Sequence, residues 1–199
     1  RAVVRAARDL GIHSELKDDP MLALGVSETN LLELTAAYAA LGSPTAPVRP
    51  RGLQRAVDEE PGEAVLEDHE RIALLELLGA AVNEGTGRAA RLSVPTFGKT
   101  GTTQDYRDAL FVGLAGDLAV GVWVGNDDNA PMQRVTGGAL PARMWAQFTA
   151  PALGVRALGA PREREYRTAP PASRWQSWRQ RWFGGRGKGK GKHKRRYST

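Results

Sequence analysis

Thr96-Phe-Gly-Lys-Thr-Gly-Thr-Thr-Gln-Asp-Tyr-Arg-Asp-Ala-Leu-Phe-Val-Gly-Leu-Ala-Gly-Asp-Leu-Ala-Val-Gly-Val-Trp-Val-Gly125 is the stretch that decides the fold. After Leu92 the apolar period changes from helical to strand-like, and three consecutive strands are predicted over residues 96–103, 109–115 and 118–125. Gly116-Asp117 is a two-residue connection of the kind hairpins use, because glycine takes the positive φ that such turns demand. Short connections between successive strands make an antiparallel meander. The last strand, Leu118-Ala-Val-Gly-Val-Trp-Val, is almost wholly apolar, which predicts cover on both faces and therefore helices flanking the sheet.

Those helices are legible on either side. Residues 1–12 put Val3, Val4, Ala7 and Leu10 near one helical face, ahead of Gly11. Residues 30–41 read as a helix capped by Asn30, with Leu31, Leu34, Ala37, Tyr38 and Leu41 as its stripe. A third helix is predicted over 68–83, with Ile72, Leu75, Leu78, Ala81 and Val82 inward, before the break at Gly85-Thr86-Gly87. A fourth starts with Pro141 in a favoured first-turn position and runs to about Phe148, offering Met144, Trp145 and Phe148 for packing. The proline- and glycine-rich stretch 43–62 reads as loop, with a short strand over 52–57. The fold class is α/β of the α+β type: three antiparallel strands flanked by helices.

Composition divides the chain in two. Of 28 Lys and Arg and 22 Asp and Glu in 199 residues, residues 162–199 hold 13 and 2, so the preceding part is mildly acidic and the tail strongly basic. This split argues against a basic nucleic-acid-binding domain. The expected organisation is a globular part over 1–161 and a basic Trp/Gly/Lys-rich tail over 162–199. The absence of Cys excludes disulfides and thiolate chemistry. Neither a run of 18 apolar residues nor a signal-peptide pattern occurs, and the start at Arg1 inside a helical pattern reads as a cut chain.

Chemistry concentrates at Lys99-Thr100-Gly101-Thr102-Thr103. On a strand, Lys99, Gly101 and Thr103 share a face and can line a cleft, where the lysine supplies positive charge for a carboxylate and Gly101 lets a ligand backbone lie close. His13, His69 and His193 are scattered, and Asn126-Asp127-Asp128-Asn129 reads as an acidic turn, so no metal and no cofactor are expected. Asp105 and Asp108 beside Arg107 read as local ion pairs and turn hydrogen bonds. Gly85-Thr86-Gly87 lacks the strand and the Gly-Lys-Ser/Thr ending of a phosphate-binding loop.

Lys99-Thr100-Gly101-Thr102 resembles the third signature element of penicillin-binding proteins and serine β-lactamases. The match continues through Gly121-Val-Trp-Val-Gly-Asn-Asp-Asp-Asn-Ala-Pro-Met and Val135-Thr-Gly-Gly-Ala-Leu-Pro-Ala-Arg-Met-Trp, and upstream through Ala23-Leu-Gly-Val-Ser-Glu-Thr-Asn-Leu-Leu-Glu-Leu. Over about residues 1–150 the chain is similar to the C-terminal part of the transpeptidase domain of class A penicillin-binding proteins. The resemblance implies a partial penicillin-binding/β-lactamase-like fold and D,D-transpeptidation of peptidoglycan stem peptides, with β-lactams as mimics of the donor. It implies that Lys99 and Thr100 anchor the donor's terminal carboxylate and that Gly101 permits close approach. Thr102 is implied to give its hydroxyl to the carboxylate and its N–H to the oxyanion hole, with Thr103 beside it in the substrate-binding set. The biosynthetic class is favoured over a β-lactamase by the Trp-Val-Gly-Asn-Asp-Asp-Asn and Leu-Pro-Ala-Arg segments.

The family also needs Ser-x-x-Lys at the head of a buried helix and a Ser-x-Asn. Ser14-Glu15-Leu16-Lys17 matches literally, but Gly11 precedes it, Asp18-Asp19-Pro20 follows it, and two aspartates beside Lys17 would hold its amine protonated. It is read as a decoy, and no Ser-x-Asn occurs. Both elements, with any glycosyltransferase domain and membrane anchor, are expected upstream of Arg1 in a parent whose transpeptidase faces outside the inner membrane. The isolated chain is then expected to be inactive. In the tail, Trp175, Trp178 and Trp182 recur among arginines before a Gly/Lys run; the plain reading is a solvated extension, the sharper one a segment meeting anionic lipid or wall polymer. No specific nucleic acid is expected. The competing class is a non-enzymatic module that docks on membrane or nucleic acid through this tail.

Overall fold

The sheet has the order β1-β2-β3, antiparallel throughout, with β1 at Thr96–Thr102, β2 at Asp108–Ala115 and β3 at Leu118–Gly125. The computed structural model describes residues 1–43, 47–52 and 65–159. Among these, α1 spans Ala2–Asp9, α2 Leu31–Gly42, α3 Asp68–Asn83 and α4 Leu140–Ala152. The expectations for 162–199, and for all but Gly52 of the strand at 52–57, lie outside the described residues. None of the described helices is long and apolar enough to cross a membrane.

Pairing of Ala115 with Leu118 closes the hairpin over Gly116-Asp117, and Gly116 takes φ +57° as the turn requires. Strand alternation then separates two faces. Phe111, Gly113 and Ala115 point to the face covered by α3 and α4. Phe111 and Ala115 join Val82, Ala89, Ala90, Leu92, Ala142, Trp145, Ala146 and Ala150 in one buried cluster. The opposite face takes α2, which lies so close to Gly121 that Leu31 and Thr35 fill the space of a side chain there. Helices thus flank the sheet as predicted. Cover of β3 is less complete than its apolar sequence suggests. Its residues are mostly half-buried, and Trp123, 44% exposed, lies over Gly125 and donates from its indole to Asp108 Oδ1 at 2.9 Å.

The core centres on Trp145, fully buried, edge-on to Phe111 with ring centroids 5.4 Å apart and donating from Nε1 to the Val120 carbonyl at 3.0 Å. The predicted packing face of α4 needs correction. Its buried stripe is Ala142, Trp145, Ala146, Thr149 and Ala150, while Met144 and Phe148 are 42% and 62% exposed. Small residues let the helix approach the sheet closely, and one indole fills the remaining space. The helix also runs one turn past Phe148, through Pro151.

The Ser14-Glu15-Leu16-Lys17 segment lies in irregular backbone. Ser14 Oγ donates to Glu33 Oε2 at 2.7 Å and lies 3.2 Å from Thr29 Oγ1, and the same carboxylate oxygen accepts the N–H groups of Ser14 and His13. Asn30 caps α2 by accepting the N–H of Glu33 at 2.8 Å, which fixes this carboxylate in the first turn. Hydrogen bonds from the Ser14 hydroxyl and N–H hold the Glu33 carboxyl at about 2, below its ordinary value of 4.5. A depressed folded-state pKa stabilises the fold above the ordinary value, and the contribution is lost as pH falls from 4.5 through about 2. The amide resonances of His13 and Ser14 are therefore expected to titrate with a midpoint near 2, and Glu33→Gln to abolish that step; a midpoint near 4.5 would contradict the contact.

Candidate functional site

β1 is an edge strand among the described residues, and its register fixes what faces outward. The Thr103 N–H donates to the Asp108 carbonyl at 3.0 Å. Antiparallel alternation accordingly turns the backbone groups of Lys99 and Gly101 toward β2, and those of Thr100 and Thr102 toward the open edge. The N–H of Thr102 is thus left at the open edge rather than used in the sheet. Lys99 is exposed on the same edge, its Nζ donating to the outward carbonyl of Thr100 at 2.9 Å.

Side chains sort by alternation. Lys99 and Gly101 share the α2 face of the sheet, where a Cβ at Gly101 would meet Leu110 Cγ at 2.8 Å, so the missing side chain serves packing within the sheet. Thr100 and Thr102 share the other face, and two segments approach them there. Thr86 Oγ1, in the turn after α3, lies 2.7 Å from Thr100 Oγ1. The Gly137 N–H, in the loop before α4, donates to Thr102 Oγ1 at 3.0 Å. This loop lies flat on the strands: a Cβ at Gly137 would fall inside contact with the Gly101 and Leu110 carbonyl oxygens, and one at Gly138 would do the same with the Thr86 carbonyl oxygen. Only glycine permits that approach.

Thr103, the last residue of the predicted set, is engaged locally. Its Oγ1 accepts the Asp108 N–H at 2.8 Å and lies 3.2 Å from Asp108 Oδ2, which secures the crossing from β1 to β2. Asp108 thus makes turn and strand hydrogen bonds, to Thr103 and Trp123, while Arg107 reaches the Asn129 carbonyl. The 126–130 turn is closed by Asn126 Nδ2 on the Ala130 carbonyl and by Asp128 Oδ1 on the Ala130 N–H. Sequence reading missed Thr86 and Gly137. They lie 14 and 35 residues from their partners, and only the apposed glycines at 85, 87, 137 and 138 mark places where backbone must come close.

What results is an open strand edge carrying one ammonium, two hydroxyls and an outward N–H within four consecutive residues. Such an edge can receive an extended peptide ending in an anion. Comparison with known proteins points the same way. Penicillin-binding protein 1A of Aquifex aeolicus (strain VF5) is 33% identical over 157 residues, covering 73% of this chain and 22% of that protein. Penicillin-binding protein 2D of Bacillus subtilis (strain 168) is 29% identical over 169 residues, covering 76% and 24%. Penicillin-binding protein 1B of Vibrio cholerae serotype O1 is 46% identical over 70 residues, or 34% of this chain and 9% of that protein. The chain therefore spans less than a quarter of the length of these relatives. No family model matches it.

Proposed function

The chain belongs to the penicillin-binding proteins, as part of their transpeptidase domain, and on that premise we propose that it forms the carboxylate- and oxyanion-binding side of a D,D-transpeptidase site that cross-links peptidoglycan. The observation that carries this reading is the open β1 edge, with Lys99, both threonine hydroxyls and the Thr102 N–H gathered on it. The substrate is the D-alanyl-D-alanine end of a stem peptide, and a β-lactam takes the same place.

In the reaction a serine hydroxyl, supplied by polypeptide outside these 199 residues, attacks the penultimate D-alanine carbonyl. The proton passes to a neighbouring base, and negative charge develops on the carbonyl oxygen. The Thr102 N–H meets that oxygen; one such donor accounts for about 3 kcal/mol of transition-state stabilisation. Lys99, with the Thr100 and Thr102 hydroxyls, holds the terminal carboxylate. The C–N bond then breaks, D-alanine leaves with a proton on its amine, and an amine from a second stem peptide displaces the serine from the acyl-enzyme. The parent protein is proposed to be anchored in the inner membrane with this domain on the outer side, and to carry a glycosyltransferase as well.

On this reading the chain by itself is expected to be inactive. No Ser-x-Asn is present, and the one Ser-x-x-Lys holds its serine against Glu33, in irregular backbone. Incubation with a fluorescent penicillin is expected to leave the 199-residue chain unlabelled, with or without Ser14→Ala, and to label the natural polypeptide that contains it. Labelling of the chain that disappears in Ser14→Ala would place the nucleophile at Ser14 and overturn the assignment. An unlabelled natural polypeptide would overturn the transpeptidase reading itself.

A further inference from the structure

A hydroxyl carries one hydrogen and two acceptor positions, so what it accepts decides where its hydrogen points. Thr102 Oγ1 accepts the Gly137 N–H, and that donor, being backbone, cannot reverse. The Thr102 hydrogen is thereby left for an outside acceptor. The contact of 2.7 Å between Thr86 Oγ1 and Thr100 Oγ1 can run either way. If Thr100 donates to Thr86, a lone pair of Thr100 faces the ligand; if Thr86 donates to Thr100, the Thr100 hydrogen is available instead. A carboxylate repels the first arrangement and is bound by the second.

We propose that Thr86 is a positioning residue, which donates to Thr100 and so turns the two threonine hydroxyls of β1 into a matched pair of hydrogen-bond donors for an anion. This inference rests on the transpeptidase reading above and extends it to a residue that touches no substrate. Gly137 does for Thr102 what Thr86 does for Thr100, from the same face of the strand. Selectivity is the consequence: the pair favours ligands with a free carboxylate over those whose carboxyl is blocked, because an ester offers neither the charge nor the equivalent second oxygen.

The test compares acylation of the natural polypeptide by penicillin and by a penicillin methyl ester, as second-order rate constants, in wild type, Thr86→Val and Thr86→Ser. Thr86→Val is expected to lower the rate with penicillin about tenfold, the size of one lost hydrogen bond, and to leave the rate with the ester within twofold. Thr86→Ser, which keeps the hydroxyl, is expected to restore the rate with penicillin. Thr86 is exposed, so the melting temperature should stay unchanged in both variants. Equal losses for acid and ester would mean a merely structural role and would overturn the proposal, as would an unchanged rate with penicillin or failure of serine to rescue. Failure of wild type to react with penicillin at all would instead remove the transpeptidase reading on which the proposal stands.

Discussion

Replacing Trp145 by alanine is expected to cost the folded chain about 3–5 kcal/mol, the range for emptying a fully buried indole site. Its ring is fully buried and meets Phe111 edge-on at 5.4 Å, in a geometry worth about 1 kcal/mol beyond the area it buries. The indole N–H satisfies the Val120 carbonyl of β3, so α4 is tied to the sheet by a directional bond as well as by packing. Neighbouring small residues on α4, Ala142 and Ala146, cannot swing in to refill the space. Typical domains are stable by only about 5–15 kcal/mol, so such a loss approaches the whole margin. Trp145→Phe separates the two contributions: it keeps most of the ring volume, removes the N–H, and should cost about 1–2 kcal/mol. Urea unfolding followed by fluorescence and circular dichroism measures both. An alanine variant within 1 kcal/mol of the parent would show that the sheet does not depend on α4.

That central role of Trp145 marks where local pattern stops carrying information. β3 and α3 were legible to the residue, since a hairpin glycine and the break at Gly85 bound them, and α2 followed from Asn30, whose side chain does cap the helix. The stripe of α4 is not legible from residue size, which points Met144 and Phe148 inward. Helix–sheet approach selected alanines instead, and Met144 and Phe148 were left outside. The short 3-10 turns at Pro20–Leu24, Arg88–Ala90 and Gln104–Tyr106 have too few residues to show a period. At the site, Lys99 to Thr103 could be read because they are consecutive and alternate on one strand. Thr86 and Gly137 could not, because their meeting with that strand is a property of chain return across the sheet and of backbone approach, neither of which leaves a periodic trace.

In the natural polypeptide that contains this chain, Lys99→Ala is expected to slow acylation by penicillin at least a hundredfold. The ammonium is the one full positive charge on the stretch Lys99–Thr103, and a charge-assisted bond to a carboxylate is roughly twice as strong as a neutral one. Its bond to the outward Thr100 carbonyl keeps the amine at the strand edge rather than free in solution, so little ordering remains to be done when a ligand arrives. Because the side chain is exposed, its loss should leave the melting temperature unchanged, which separates a binding role from a folding one. Lys99→Arg retains the charge but replaces a compact ammonium by a planar fork, and is expected to recover only part of the rate. An alanine variant acylated as fast as wild type would show that the β1 edge does not hold the ligand, and the assignment of Thr100 and Thr102 to the same carboxylate would fall with it.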